Sequence, residues 1–215
     1  FNAEPGRPSG NLVTRRKGAA FIQLEVIGRA AHSGAAHAQG VSAIEAMARK
    51  IQRLHRLTDY DLGTTINVGL MRGGQSVNTV APRATAAIDV RFPTLNIMEK
   101  ILGDVREICT CCELPGSESR ILSEGKFLPL EQDEAGRELL DLYARSAKGL
   151  GFEVGGEATG GSADSGFTAA LGTPTLCATG PVGGNAHTDD EWCRIDTMVP
   201  RAQALALTIL ELASA

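Results

Sequence analysis

The feature that most constrains the fold of this chain is a series of apolar patterns between residues 17 and 127. Four segments alternate apolar and polar residues with the period of two that half-buried strands show. Two more place apolar residues three and four positions apart, as amphipathic helices do. The predicted strands cover 17–28, 64–71, 83–92 and 119–127, and the predicted helices 40–57 and 96–112. Their order is β-α-β-β-α-β, the split ferredoxin-like arrangement.

Periodicity also predicts which side chains point inward. On the first strand the inward face is predicted to consist of Ala20, Ile22, Leu24 and Val26. On the third strand it is predicted to consist of Ala84, Ala86, Ile88 and Val90. On the first helix it is predicted to consist of Val41, Ile44, Ala48, Ile51 and Leu54 or His55.

The sequence on either side of this region alternates strands, helices and glycine-rich turns, as in an α/β layer. The predicted elements are helices over 133–150 and 196–213, a short helix capped by Ser162 that ends at Leu171, and a buried strand over 173–178. The fold class is therefore α/β, with residues 1–16 and 128–215 forming one domain that residues 17–127 interrupt. That domain is too small for a complete doubly wound sheet, and the chain opens with Phe1, so we expect a piece of a longer protein.

The composition argues against several classes of function. The formal net charge is −4, no basic stripe stands out and aromatic residues make up 4%, so no nucleic-acid partner is expected. The apolar stretches are short and interrupted, so no membrane span is predicted. Five cysteines, three of them crowded together, are a poor disulfide framework. They favour a reducing compartment and predict a cytoplasmic protein.

Two loop residues have the chemistry of metal ligands. His187 follows a glycine-rich loop in Ala186–Glu191 (AHTDDE), where the neighbouring acidic residues suit an imidazole ligand. Glu4 follows an apolar segment in Phe1–Gly6 (FNAEPG), at a strand end of the kind where ligands gather in α/β proteins. For both, the alternative is an ordinary exposed loop residue.

Three residues of the β-α-β-β-α-β region are candidates for substrate contacts. His32 follows a strand among small residues, which leaves room for its imidazole to project into a cleft or toward a partner. Asn78 lies between two strands, and Arg91 ends a strand, where its planar guanidinium suits a carboxylate. The alternatives are turn residues for His32 and Asn78, and a salt bridge to Asp89 or Glu99 for Arg91.

The glycine-rich turn in Thr159–Asp164 (TGGSAD) is a further candidate. Gly161 and Ser162 stand where a helix is predicted to begin, so backbone N–H groups are available there to an anion. A tight turn without a ligand is the alternative.

Six motifs in this order resemble the M20 family of metallopeptidases, in particular its glutamate carboxypeptidase branch. They are FNAEPG (Phe1–Gly6), GRAAHSGAA (Gly28–Ala36), SVNTVAP (Ser76–Pro82), IDVRF (Ile88–Phe92), TGGSAD (Thr159–Asp164) and AHTDDE (Ala186–Glu191). The resemblance implies a zinc-peptidase-type α/β catalytic domain with two zinc ions, interrupted by a lid domain at 17–127 through which two copies form a homodimer. Cobalt and manganese suit the same mixed ligands.

The resemblance also implies a role for each candidate residue. Glu4 matches a carboxylate that binds one zinc, and His187 matches the histidine that binds the other. His32 matches the lid histidine that stabilises the oxyanion in the active site of the neighbouring copy, and Asn78 lies near the same site. Arg91 matches the arginine that binds the carboxylate of the substrate.

In the same resemblance, Gly161 and Ser162 belong to the turn that lines the substrate pocket. The implied function is hydrolysis of an amide in a small-molecule or peptide substrate with a free carboxylate, by a carboxypeptidase that releases a C-terminal amino acid such as glutamate. The alternatives are an N-acyl amino acid deacylase of the same family and a non-catalytic dimerisation or ligand-binding module. The family's upstream His-x-Asp motif, bridging aspartate and Glu-Glu pair are not in this sequence, so the chain alone is expected to be inactive.

Overall fold

The computed structural model describes residues 1–214, which divide into two compact units. The inserted unit comprises Gly18–Phe127, and the flanking unit comprises Phe1–Lys17 together with the chain from Leu128 on. The first strand, β1 (Leu12–Arg16), belongs to the flanking unit. The sequence pattern did not predict β1, because its apolar start is followed at once by polar and charged residues.

The inserted unit has the predicted β-α-β-β-α-β order, and the predicted fold class is confirmed. Its elements are β2 (Gly18–Ile27), α1 (Ala43–His55), β3 (Thr65–Gly73), β4 (Arg83–Phe92), α2 (Leu95–Thr110) and β5 (Glu118–Phe127). The four strands form one antiparallel sheet in the order β3-β4-β2-β5. The edges of this sheet are therefore β3 and β5.

One face of the sheet is apolar, and α1 and α2 pack against it. The inward residues of β2 and β4 are those predicted, and each is at most 3% exposed. Burial of this face is the main contribution to the stability of the unit. Both helices begin at a hydroxyl cap: Ser42 Oγ accepts a hydrogen bond from Glu45 N, and Thr94 Oγ1 accepts one from Ile97 N.

The prediction for the buried face of α1 is confirmed at Leu54 and at Val41, which precedes the helix, but it was wrong at Ile44 and Ala48, because the helix is rotated. The buried residues are Ala43, Ala46, Met47, Lys50 and Leu54. Ile44 is 37% exposed and Ala48 is also exposed. The cause is Lys50, whose Nζ donates to the backbone oxygens of Ile108 (2.7 Å) and Cys111 (2.6 Å) at the end of α2. Carbonyl groups at a helix end lack partners within the helix, so a buried ammonium stabilises them.

The flanking unit joins β1 to the C-terminal part of the chain. Its further elements are α3 (Glu134–Gly149), β6 (Gly156–Thr159), α4 (Ser165–Ala170), β7 (Gly183–Gly184), β8 (Trp192–Cys193) and α5 (Met198–Ser214). β1 pairs with β6 in parallel, and β7 pairs with β8 in the antiparallel sense. The core of the unit includes Leu12, Tyr143, Leu176 and Ala204. None of the helices within residues 1–214 is long and apolar enough to cross a bilayer.

Two local predictions for the flanking unit need correction. The segment predicted as a strand over 173–178 is buried from Thr175 onward, but it forms an isolated bridge and not a strand: Cys177 exchanges backbone hydrogen bonds with Val13, and Leu176 O accepts one from Asn2 N. Ser162 does not cap a helix, because α4 begins at Ser165 and the N-cap residue Asp164 makes no side-chain capping bond.

Candidate functional site

His32 and Asn78 lie on two adjacent loops at one end of the inserted sheet. Val80 N donates to Ala31 O at 2.9 Å, and Ser33 N donates to Asn78 O at 3.0 Å. These bonds join the loop that follows β2 to the loop that precedes β4. The structure therefore brings together two candidate residues that are distant in the sequence.

Gly28 allows the two ends of the loop that contains His32 to approach each other closely. A Cβ at this position would lie 2.0 Å from the backbone oxygen of Val41, so no other residue fits without a shift of the backbone. Next to it, Arg29 and Val41 exchange two backbone hydrogen bonds of 2.9 Å. The loop that carries His32 is therefore held at both ends by backbone contacts.

The backbone also determines which nitrogen of the His32 ring carries the proton. Gly34 N and Ala35 N both donate to His32 Nδ1, each at 3.2 Å. A nitrogen that accepts hydrogen bonds must present its lone pair, so the proton of the neutral ring is on Nε2. The side chain is exposed. The loop thus presents an oriented N–H donor at the surface, suited to an oxygen that carries negative charge.

The Asn78 side chain is oriented by its neighbours. Ser76 Oγ donates to Asn78 Oδ1 at 2.8 Å and lies 2.8 Å from Thr79 Oγ1. Because Oδ1 is engaged, the donating end of the amide, Nδ2, is the end that remains for a ligand.

The outer face of the sheet, close to these loops, contains a buried carboxylate. Glu25 is 1% exposed. Arg120 Nε donates to it at 2.6 Å, and Arg83 Nη2 lies 2.5 Å from its other oxygen. The hydrogen bond from Arg120, followed by the contact with Arg83, holds the pKa of the Glu25 carboxyl below its usual value. This network connects β4, β2 and β5.

Arg91 lies at the opposite end of the sheet. Its Nε and Nη2 donate to Asp89 Oδ1 at 2.7 Å and Oδ2 at 2.8 Å, so the salt bridge proposed as an alternative is present. The register of β2 and β4 places Arg91 opposite Ala19 and Arg83 opposite Ile27, next to the His32 loop. The eight residue-to-residue steps from Arg83 to Arg91 extend over about 27 Å.

Glu4 lies in an N-terminal segment that runs parallel to residues 176–183 of the flanking unit. Asn2 N donates to Leu176 O at 2.9 Å, and Gly180 N donates to Glu4 O at 3.0 Å. The two backbones approach closely, because a Cβ on Gly180 would lie 2.6 Å from Ala3 O. The carboxylate of Glu4 is exposed.

His187 follows β7 in an exposed loop and has a positive φ of 68°. This conformation is uncommon for a residue other than glycine. Its backbone N–H donates to Glu191 Oε2 at 3.3 Å, which uses one of the acidic neighbours that the sequence singled out. The imidazole remains exposed.

Glu4 and His187 do not make a metal site by themselves. Within residues 1–214, no group of three His, Cys, Asp or Glu side chains is close enough to hold an ion. A catalytic zinc normally has three protein ligands. The two residues have suitable donor atoms and would each supply one ligand, so the fit to a metal is partial.

The glycine-rich turn follows β6, with Gly161 exposed and Ser162 half-buried. Beneath it lies Arg16, a residue that the sequence did not single out. Arg16 is 9% exposed, and its Nη1 donates to Gly161 O at 3.0 Å. An arginine at the end of a strand is a sequence signal for an anion-binding residue. Arg16 did not show this signal, because the sequence pattern did not predict β1.

The chain thus belongs to the class of α/β proteins into which a second unit, an antiparallel sheet with two helices on one face, is inserted. Residues 14–110 match the family model of the M20 peptidase dimerisation domain. The inserted unit is therefore an M20 peptidase dimerisation domain, and this match, together with the relatives below, supports the resemblance of the chain to the M20 family.

The relatives agree with this identification. The chain is 26% identical over 200 residues to Carboxypeptidase G2 from Pseudomonas sp. (strain RS-16). This match covers 91% of this chain and 48% of that protein. It is 32% identical over 88 residues to a p-aminobenzoyl-glutamate hydrolase homolog from Haemophilus influenzae, covering 40% of this chain and 21% of that one. The crystal structure of aminopeptidase PepT from Bacillus cereus has the same fold, with a TM-score of 0.80 at 23% identity over 98% of this chain and 56% of that one. The chain thus spans about half the length of Carboxypeptidase G2.

Proposed function

We propose that this chain is the lid and part of the catalytic domain of a metal-dependent amide hydrolase, a carboxypeptidase that releases a C-terminal amino acid such as glutamate. The observation that carries the proposal is the His32 ring, whose Nδ1 accepts two backbone N–H groups and whose Nε2–H faces outward. The names of two relatives, a carboxypeptidase and a p-aminobenzoyl-glutamate hydrolase homolog, support the substrate class.

In the proposed reaction, attack on the amide carbonyl places negative charge on its oxygen. His32 Nε2–H donates to that oxygen. Because the ring is already held by Gly34 and Ala35, it does not have to reorient as the charge develops. Asn78 Nδ2, on the adjacent loop, is a second N–H donor for the same region. A metal ion, with Glu4 and His187 among its ligands, would polarise the carbonyl and activate a water.

Arg91 is assigned to the substrate carboxylate. Its pair with Asp89 uses the edge of the guanidinium formed by Nε and Nη2. In this arrangement Asp89 orients the guanidinium, and the planar fork selects a carboxylate.

The proposed site needs two copies of the chain. His32 and Arg91 stand at opposite ends of one sheet, separated by about 27 Å of strand, and a small amide does not span that distance. If both residues contact one substrate, then Arg91 acts together with the His32 that the second copy contributes. A two-fold dimer supplies this pairing twice.

The surface that fits such a dimer is the β3 edge with the adjacent stripe of α1. Leu70 and Met71 of β3 are 63% and 41% exposed, and Ile44 of α1, 37% exposed, lies against the end of β3. The other edge, β5, carries the charged residues Arg120 and Lys126. Charged edges resist pairing, whereas exposed apolar edges favour it. We therefore assign the dimer contact to β3 and α1.

Exposed apolar residues of the flanking unit support a longer parent protein. On α5, Val199 and Leu210 are each 64% exposed, and Leu207 and Ile209 are 44% and 49% exposed. Apolar surface of this kind normally has a partner. The proposed partner is the remainder of the catalytic domain, which would also supply the missing metal ligands and the general base.

The test uses the full-length protein, loaded with zinc, cobalt or manganese. Release of p-aminobenzoate from p-aminobenzoyl-glutamate measures carboxypeptidase activity, and hydrolysis of N-acetyl amino acids measures deacylation. His32→Ala should lower kcat by about 10²- to 10³-fold, as loss of one oxyanion donor does. His37→Ala, an exposed histidine of the same loop, is the control and should leave kcat unchanged.

An unchanged kcat in His32→Ala would contradict the assigned role. A preference for N-acetyl amino acids would favour the deacylase. No hydrolysis of either substrate class would favour the non-catalytic module.

A further inference from the structure

Arg16 occupies a position in the flanking unit where ligands commonly bind. It ends β1 and is paired with Thr159, which ends the parallel strand β6. Ligands of α/β proteins bind outside the carboxyl ends of parallel strands. The turn that contains Gly161 begins at the same end.

The guanidinium of Arg16 is buried without a negatively charged partner. Its hydrogen-bond acceptors are Gly161 O at 3.0 Å and Cys177 Sγ at 3.1 Å, and a thiol is a weak acceptor. None of the ion pairs formed within residues 1–214 includes Arg16. Its Nη2 donates no hydrogen bond to a described residue. This nitrogen is also not one of the fully buried side-chain atoms that lack a partner, so it remains in contact with solvent. Buried charges in proteins normally have a partner.

Arg201, the other buried arginine of this unit, shows how a structural arginine is satisfied here. It is 3% exposed, and its three nitrogens donate to Gly180 O at 2.5 Å, Gly10 O at 2.8 Å and Ala178 O at 2.6 Å. All three nitrogens of Arg201 are therefore used by the backbone. Arg16 engages only Nε and Nη1, which leaves donors directed to a ligand.

We propose that Arg16 forms an anion site beneath the glycine-rich turn and that its ligand is a carboxylate. The identification of this carboxylate as part of the substrate rests on the proposed function, whereas the anion site itself does not. Arg16 Nη2 supplies the charge-assisted hydrogen bonds, and the bond from Nη1 to Gly161 O holds the turn beside the ligand. The site would favour acidic amino acids such as glutamate among the possible leaving groups.

The experiment measures thermal unfolding of this chain in sodium glutarate, against sodium chloride of equal ionic strength. A ligand that binds only the folded state raises the ratio of folded to unfolded protein, about elevenfold at a concentration ten times its Kd. The wild type should show a rise in Tm that Arg16→Gln lacks. Arg15→Gln, which removes the exposed neighbouring arginine, is the control and should keep the full rise.

Arg16→Lys provides a second variant if Arg16→Gln does not fold. Its glutarate Kd should be roughly tenfold weaker or more, because an ammonium lacks the planar fork. The proposal is overturned if both Arg16 variants retain the wild-type glutarate shift, if Arg15→Gln loses it, or if inorganic phosphate raises the Tm and glutarate does not. A rise with both anions supports a carboxylate site that also accepts phosphate.

This assay requires no turnover, so it separates the two proposals. If glutarate does not raise the Tm of the wild type, the anion site is overturned. The proposed function is then still supported if the full-length protein hydrolyses an amide. A response to glutarate in a protein that hydrolyses no amide keeps the anion site and contradicts the proposed function.

Discussion

The proposed dimer makes a quantitative prediction for Leu70 on the β3 edge. Full burial of a leucine side chain contributes about 1.5–3 kcal/mol, and 63% of this residue is exposed in the single chain. Covering it would therefore contribute about 1–2 kcal/mol in each copy. Both copies of a two-fold interface contribute the same residue, so Leu70→Ala should cost about 2–4 kcal/mol of dimerisation free energy. That is roughly a 30- to 700-fold increase in the dimer Kd.

Sedimentation equilibrium over a range of concentrations measures this Kd directly. The matched control is Leu122→Ala on β5, the opposite edge, where the leucine is 50% exposed. The control should leave the dimer Kd unchanged. An equal loss in Leu122→Ala, or none in Leu70→Ala, would refute the assignment of the contact to β3. A wild-type chain that stays monomeric at high concentration would refute the dimer itself.

Glu25→Gln should lower the Tm at neutral pH, because two arginines hold the pKa of this carboxyl below 4.5 in the folded state. The contribution is complete above the unfolded pKa and is lost as pH falls through the lowered folded pKa, so unfolding curves recorded from neutral to acidic pH should show the two proteins converging. Burial raises the pKa of Cys109 to about 11, so alkylation at about pH 8 followed by mass spectrometry should label exposed Cys112 and spare Cys109; equal labelling rates would contradict this. Calorimetry of this chain with zinc should detect no tight site, since Glu4 and His187 supply too few ligands; a stoichiometric site that His187→Ala removes would show the opposite.

The parts of the fold that follow from local pattern were predictable. Burial of one sheet face imposes a period of two, and the inward residues of β2 and β4 follow it. The salt bridge between Arg91 and Asp89 was among the alternatives because residues two apart on a strand share a face. The rotation of α1 was not predictable, because an apolar count assigns Lys50 to solvent and cannot include carbonyl groups at the end of a different helix.

In the candidate site, too, single residues were predictable from the sequence and their spatial arrangement was not. His32, Asn78 and Arg91 were recognised one by one from their motifs, since a motif is a local property of the chain. Their relation was not, because the pairing of the His32 and Asn78 loops and the distance to Arg91 depend on strand register. Arg16 was missed for the same reason, as its significance comes from Gly161 and Cys177, which are remote in the sequence.

The amino-acid sequence by itself determined the kind and order of the elements in the inserted unit, the α/β class and the family. Those features depend on residues that are close neighbours in the chain, through turn chemistry, helix caps and periodic burial. Only the tertiary structure decided which side of α1 is buried, how the His32 and Asn78 loops pair and where the buried guanidinium of Arg16 lies. Each of these depends on hydrogen bonds or packing that exist only after the backbone has folded.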